Sequence, residues 1–293
     1  MKQIVKTVYR KLPYKQPFFK LLKNFTDLNE NVYKHLHFEG DFKVQVDETH
    51  SFWVRHYGFE LENMLFWKGL IEGWEKTSIS LWSELVKKAD VIFDLGANTG
   101  VYSLIAKSLN PQSQVYAFEP VKRVFEKLEY NNRLNDFDIK CFETAISDTN
   151  GTATIYDLPA DHVYSVTVNK NLNSQNVEVI PTEIKVVRLD TLIEEMKLEK
   201  IDLIKIDVET HEPEVLAGFG KYLGEFKPTM LIEVLNDEVG EKIEKLVAGN
   251  DYLFFNLDEE SDSIRRVEKI TKSDFYNYLL CSREVAKELN LLG

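Results

Sequence analysis

The stretch Val91-Ile-Phe-Asp-Leu-Gly-Ala-Asn-Thr-Gly100, followed at a short distance by Val115-Tyr-Ala-Phe-Glu-Pro120, decides the fold. It reads as a buried strand, a tight glycine turn, a helix, a second strand and a terminal carboxylate. An open parallel sheet holds a nucleoside with this unit. Gly96 and Gly100 bracket the turn, so the backbone bends sharply and can approach a ligand with no Cβ in the way. In the helix that follows, Val101, Leu104, Ile105 and Leu109 share one face, and the free N–H groups of its first turn are offered to a carboxylate or phosphate. Glu119 closes the second strand, where a carboxylate can accept both ribose hydroxyls.

The order of residues in the turn separates two classes of ligand. A dinucleotide site runs G-x-G-x-x-G, its glycines making room for a pyrophosphate. Here the order is Asp94-x-Gly96-x-Asn98-x-Gly100. The acid precedes the first glycine, and a side chain stands where the second glycine belongs. A carboxylate at the strand tip repels a pyrophosphate but suits a ligand carrying an ammonium and a sulfonium. The expected ligand is therefore S-adenosylmethionine and not a nicotinamide dinucleotide.

Outward from this unit, strands and helices alternate regularly. Strands are expected at Val91–Leu95, Gln114–Glu119 and Ile139–Phe142, with helices at Gly100–Leu109 and Val121–Asn135 between them. Residues 152–188 interrupt the pattern and include the amide-rich loop Asn169–Asn176, which is expected to close over an acceptor. Alternation resumes with a strand at Asp202–Asp207, a helix at Glu212–Leu223, a strand at Thr229–Val234 and a helix at Asp237–Ala248. Tyr252–Asn256 and Tyr278–Ser282 are expected to close the sheet as an antiparallel pair.

A second loaded segment is Asp202-Leu-Ile-Lys-Ile-Asp-Val-Glu-Thr-His-Glu-Pro-Glu214. Its apolar positions make a central strand whose carboxyl end carries Asp207, Glu209, His211 and Glu212, and in an open sheet that end faces the ligand crevice. Pro213 suits the first position of the next helix, with Glu212 and Glu214 at its positive end. Capping accounts for those two acids. It accounts poorly for Asp207 and Glu209, because a buried strand tip is a costly place for unneeded carboxylates. Glu233 ends the following strand and faces the same crevice.

The chain has 293 residues, 44% of them hydrophobic and 12% aromatic, which is enough for a sizeable core. No apolar run is long enough to cross a bilayer, and the start lacks the apolar core of a signal peptide. Two cysteines, Cys141 and Cys281, suggest neither a disulfide framework nor a zinc site, and Cys141 reads as a small buried hydrophobe. These features point to the cytoplasm. The net charge of −12 is uneven: residues 1–25 hold seven Lys/Arg and no acid, so the remaining 29 basic and 48 acidic residues leave the body at −19. An acidic body argues against a nucleic-acid partner, which needs a basic track. The basic arm is amphipathic and could touch anionic lipid at the inner face of the membrane; packing on its own domain is preferred. All four tryptophans fall between Trp53 and Trp82, read as the core of a small subdomain in preference to a sugar platform.

Several of these segments together resemble the FkbM-type S-adenosylmethionine-dependent methyltransferases. The resemblance spans roughly residues 75–256 and rests on Asp-Leu-Gly-Ala-Asn-Thr-Gly100, Phe-Glu-Pro120, Asn132-Arg-Leu-Asn135, Ala145-Ile-Ser-Asp148 with Gly151, Leu189-Asp190 and Lys205-Ile-Asp-Val-Glu-Thr-His-Glu212. It implies an α/β fold of class I methyltransferase type: a Rossmann-like, seven-stranded, mostly parallel sheet with one antiparallel strand, flanked by helices. Residues 1–88 form an N-terminal α+β extension and residues 89–293 the cofactor-binding domain. It also implies O-methylation of a hydroxyl on a glycan or natural product, free or lipid-linked. By this resemblance Asp94 and the turn Gly96, Ala97, Asn98 and Gly100 hold the methionine portion, and Glu119, followed by Pro120, holds the ribose. Ala145 and Ile146 line the adenine, with Ser147 or Asp148 near its amine. Tyr102 and Ser103 are candidates for the methionine carboxylate. The family usually carries glycine after Asp-Val-Glu, and Thr210 stands there instead. Asp207, Glu209 and His211 are the candidate catalytic residues. A metal-free base among them is preferred; the alternative is Mg²⁺ held by Asp207, Glu209 and Glu233. A rival reading is a catalytically silent protein that keeps the fold and binds a glycan or a protein partner.

Overall fold

Every residue of Val91–Leu95 is buried, and a strand with no exposed side chain needs cover on both faces. The structure, a computed structural model, describes residues 15–73, 75–157, 166–167 and 180–292. The loop Asn169–Asn176, Trp74 and most of the basic arm lie outside the described residues. In chain order the strands are β1 (Gly40–Gln45), β2 (Ser51–His56), β3 (Val91–Leu95), β4 (Gln114–Phe118), β5 (Lys140–Phe142), β6 (Ala145–Ser147), β7 (Gly151–Asp157), β8 (Val166–Thr167), β9 (Ile180–Arg188), β10 (Leu203–Ile206), β11 (Thr229–Glu233), β12 (Leu253–Asp258), β13 (Ser263–Val267) and β14 (Asn277–Cys281).

The central sheet runs β5-β4-β3-β10-β11-β14-β12-β13. The five strands from β5 to β11 are parallel, and β14 is inserted antiparallel between β11 and β12. That is the expected seven-stranded arrangement with one reversed strand. The sheet itself has eight strands, because β13 folds back on β12 and extends the edge. The sequence hides β13, since Arg265 and Arg266 sit exposed in its middle and interrupt any apolar alternation. The helix expected over Glu212–Leu223 breaks at Gly220 into Glu212–Phe219 and Tyr222–Phe226. The interruption at 152–188 forms a separate small sheet of order β6-β9-β7-β8.

Side chains alternate across the central sheet with period two. Phe93, Leu95, Tyr116, Phe118, Ile204, Ile206, Ile232 and Leu280 face one core, together with Leu192, Leu216 and Ile243 from the helices that cover it. Ile92, Val115, Ala117, Leu203, Leu231 and Leu279 face the other. That second core is continuous with the N-terminal extension, whose Phe19, Phe42, Phe66, Trp67, Ile79 and Trp82 belong to the same cluster. Residues on both sides of position 88 thus share one core. Trp67 and Trp82 are buried in it, as the core reading expects, whereas Trp53 is exposed on β2. The indole of Trp82 donates to the Tyr102 carbonyl at 3.0 Å, and the Thr77 hydroxyl donates to the Asp258 carbonyl at 3.0 Å, fastening the extension to the sheet. The helix Lys15–Phe25 turns Phe19 inward and leaves Phe18, Leu21 and Phe25 exposed. Cys141 lies on the short edge strand β5 and is only partly buried. Among the described residues no helix is long and apolar enough to cross a membrane.

Candidate active site at the carboxyl edge of the sheet

The period-two alternation carries a chemical consequence at the strand tips. On the face that the extension covers, the apolar positions Ile92, Leu203, Leu231 and Leu279 are followed two residues toward the crevice, or preceded in the reversed β14, by Asp94, Lys205, Glu233 and Asn277. Lys205 is the register partner of Asp94, and Glu233 that of Asn277. Asp94, Lys205 and Glu233 border a cavity of about 680 Å³, inside the range of roughly 300–1,000 Å³ that takes a cofactor-sized ligand.

The turn after β3 forms one half of that cavity. The N–H groups of Gly96 and Ala97 both donate to the Phe118 carbonyl, at 3.0 and 2.9 Å, so the tips of β3 and β4 are locked together. Gly96 has φ +79°, and a Cβ there would lie 1.8 Å from the Asp207 carbonyl oxygen, so no side chain fits. Asn98 is also left-handed, with φ 52°. Its N–H donates to one Glu119 oxygen at 3.1 Å, while Val121 N–H donates to the other at 2.9 Å. Glu119 thereby braces the turn, and burial pushes its carboxyl up to about 7 against the help of those two donors. The buried Asn98 Oδ1 has no hydrogen-bond partner among the described residues, and Asn98 lines the cavity.

The other cofactor candidates divide. Asp94, Ala97, Tyr102, Pro120, Ala145 and Ile146 line the cavity with Gly96 and Glu119. Gly100 is not among the lining residues. It starts the helix Val101–Leu109 at φ +92° with its Cα against Leu128, so its role is packing. Ser103 serves Asp94: its N–H and hydroxyl donate to one Asp94 oxygen at 3.0 and 2.6 Å. Burial still raises that carboxyl to about 6. The Tyr102 hydroxyl is already committed, donating to Glu75 at 2.5 Å. Ser147 and Asp148 are not among the lining residues; Ile155 and Ile184 of the small sheet stand beside Ala145 and Ile146 instead.

Beyond β10 the chain makes a strained turn. Glu209 and Thr210 both have positive φ, 55° and 77°. Glu212, fully buried, holds the turn by accepting from the N–H groups of Val208 and Thr210 at 3.2 Å each; its other oxygen has no hydrogen-bond partner among the described residues. Thr210 thus occupies a conformation that suits glycine. We expect Thr210→Gly to raise stability by about 0.5–1 kcal/mol, the left-handed cost of a β-branched residue less glycine's extra folding entropy. A urea midpoint that stays put or falls would show that Thr210 carries no strain.

The same turn aims Asp207, Glu209 and His211 at the cavity. Glu209 makes no hydrogen bond among the described residues, and burial, assisted by the nearby Asp207, pushes its carboxyl up to about 7. His211 is tied down on both sides: Nε2 lies 3.0 Å from the Ser147 hydroxyl and Nδ1 3.5 Å from Glu214. Burial and then Asp207 raise Glu233 to about 9. The carboxylates that converge as a trio are Glu75, Asp207 and Glu233. The alternative metal set read from the sequence, Asp207, Glu209 and Glu233, differs from this trio at one member, with Glu75 in the trio in place of Glu209.

Sequence reading missed Glu75, Asn277 and the role of Lys205. Glu75 belongs to the extension, and burial raises it to about 7 although Lys205 opposes the shift. Lys205 is 1% exposed, a rarity for lysine, and that position inside an apolar strand is the one signal that was available. The extension also roofs the cavity with Tyr33, Leu61, Asn63 and Met64.

The strand order and a cavity over the strand tips define an α/β protein of the nucleoside-cofactor-binding methyltransferase class. The chain belongs to the methyltransferase FkbM domain family, which it matches over residues 94–263. It is 29% identical over 168 residues to the methyltransferase sdnD of Sordaria araneosa, covering 48% of this chain and 65% of that protein. It is 34% identical over 146 residues to the 2-O-methyltransferase NoeI of Sinorhizobium fredii, 46% of this chain and 59% of that one. With the hexuronic acid methyltransferase AglP of Haloferax volcanii the identity is 27% over 146 residues, 49% and 56% of the two chains. The chain therefore spans less than two thirds of the length of each. Membership of this family implies S-adenosylmethionine as the cofactor, and the residues present fit it. Asn98 offers an unfilled buried acceptor, Glu119 keeps lone pairs toward the cavity, and Asp94 supplies negative charge.

Proposed function

We propose that the protein is an S-adenosylmethionine-dependent O-methyltransferase that modifies a hydroxyl of a glycan or glycosylated natural product. The observation that carries this reading is a single cavity lined both by the cofactor turn (Asp94, Asn98, Glu119) and by an unpartnered carboxylate in the turn after β10, Glu209. The sugar assignment is supported by the hexuronic acid for which AglP is named, and transfer to oxygen by the name of NoeI, a 2-O-methyltransferase.

When bound, S-adenosylmethionine supplies an electrophilic methyl group on a sulfonium. Glu119 would hold the ribose, and Asp94 with the turn that carries Asn98 would hold the methionine portion and its cationic groups. The Glu209 carboxylate takes the proton from the acceptor hydroxyl, which is a weak nucleophile until it loses it. Asp207 orients that hydroxyl. His211, fixed by Ser147 and Glu214, keeps the turn in place. The roof contributed by the extension excludes water, which strengthens each of these interactions.

Glu119→Ala tests the cofactor half. It should weaken S-adenosylmethionine binding by about 1.5–3 kcal/mol, the usual worth of hydrogen bonds to a charged group. Unchanged affinity in titration calorimetry would remove Glu119 from the cofactor site. The reaction itself is tested by incubating the protein with S-adenosylmethionine and a panel of neutral, amino and uronic glycosides, then reading the gain of a methyl ether by mass spectrometry. Failure to bind S-adenosylmethionine at all would overturn the reading.

A further inference from the structure

Glu75, Asp207 and Glu233 each present a carboxylate oxygen within 4.8 Å of the others. Three hard oxygen ligands so gathered are what a divalent ion requires, yet the same space already contains a cation. Lys205 Nζ lies 3.3 Å from Asp207 Oδ2 and 3.4 Å from Asn277 Oδ1. The ammonium also stands 5.2 Å from the centre of the Tyr102 ring, whose hydroxyl holds Glu75. Lys205 is 1% exposed, anchored in the middle of β10 between β3 and β11, and cannot withdraw its charge to water. A buried charge persists only where it is paired, and here it is paired with Asp207 of the trio and held by Asn277.

We propose that the Lys205 ammonium is the resident cation of the Glu75–Asp207–Glu233 cluster, taking the place of a divalent metal and positioning Asp207 toward the acceptor. This rests on the methyltransferase reading above for its catalytic part only. The arrangement is a division of labour on one strand. Lys205 neutralises the carboxylates on the inner side, so that Asp207 is held in one orientation and Glu209, two residues further on, remains unpartnered. A dication held by Asp207 would share that carboxylate with the ammonium and be repelled by it. Lys205 acts through Asp207 and touches no reacting atom in this scheme; it is a positioning residue.

The test is a titration with Mn²⁺ alone, by calorimetry, of the full chain and of Lys205→Met, alongside methyl transfer and S-adenosylmethionine binding. The unaltered protein should show no saturable Mn²⁺ site and should keep its turnover after exhaustive chelation. Lys205→Met should gain a saturable Mn²⁺ site at least an order of magnitude tighter, lost again when Asp207→Asn is added. It should also lose methyl transfer by two orders of magnitude, with S-adenosylmethionine affinity held within a few-fold and partial rescue by Lys205→Arg. A Mn²⁺ site in the unaltered protein that Asp207→Asn abolishes would overturn the proposal, and so would a folded Lys205→Met that gains none. Should Lys205→Met fail to fold, the unaltered protein and Lys205→Arg still decide, since a saturable, Asp207-dependent Mn²⁺ site in either contradicts a resident ammonium and its absence from both supports one. Because Mn²⁺ binding needs no methyl donor, failure of the cofactor to bind would strike the methyltransferase reading and leave this result readable.

Discussion

Glu209→Gln should lower turnover about 10²–10⁴-fold, the usual contribution of a general base, while S-adenosylmethionine affinity stays within a few-fold. The substitution keeps the shape of the side chain and removes its charge, so it separates chemistry from packing. It also changes the pH dependence. Burial and then Asp207 raise the Glu209 carboxyl to about 7, and a base must be ionised to accept a proton. Turnover of the unaltered enzyme should therefore climb as pH rises through about 7 and level off above it. The variant should lack that limb. A full-activity Glu209→Gln, or a variant that keeps the same rising limb, would assign the proton to another group.

The second large effect is expected from a single methyl group. A Cβ at Gly96 would stand 1.8 Å from the Asp207 carbonyl oxygen and 2.9 Å from its carbon, and backbone there has no rotamer by which to retreat. Gly96→Ala should cost about 1–3 kcal/mol from overpacking and about 1–2 kcal/mol more from the left-handed conformation. Because relief of the clash must move the β10 tip, cofactor binding and turnover should fail together. Gly100→Ala is the control. Its Cβ would meet the flexible end of Leu128 at 2.6 Å, so it should unfold earlier in urea yet retain cofactor affinity. Equal affinities for Gly96→Ala and the parent would show that the two strand tips tolerate separation.

The cofactor half was legible in the sequence because it is local. Asp94, Gly96, Asn98 and Glu119 lie on one strand–turn–helix–strand unit, and the physics of that unit is written in its spacing. Gly100 shows the limit even there: its left-handed φ is needed, but the reason is Leu128 packing and not the cavity. The acceptor half was only partly legible. Asp207 and Glu209 were visible as acids at a strand end. Lys205 and Asn277 come together only because β10 and β14 flank β11 in the sheet and because alternation turns their polar residues to one face, and Glu75 joins them because the extension packs over that face. No periodicity within a single segment reports a neighbour two strands away. Lys205 is legible in retrospect, as the one charged residue inside an otherwise apolar strand.

The match to the family begins at residue 94 and ends at 263, whereas the cavity roof is built from residues 33–64, the trio is completed by Glu75, and Asn277 lies past the far end. Floor and roof therefore fall on either side of the family match, although they enclose one cavity. For an engineer the same division marks a constraint on grafting: the segment before residue 89 carries Glu75 and half of a shared core, so a transplanted roof must bring its side of both with it.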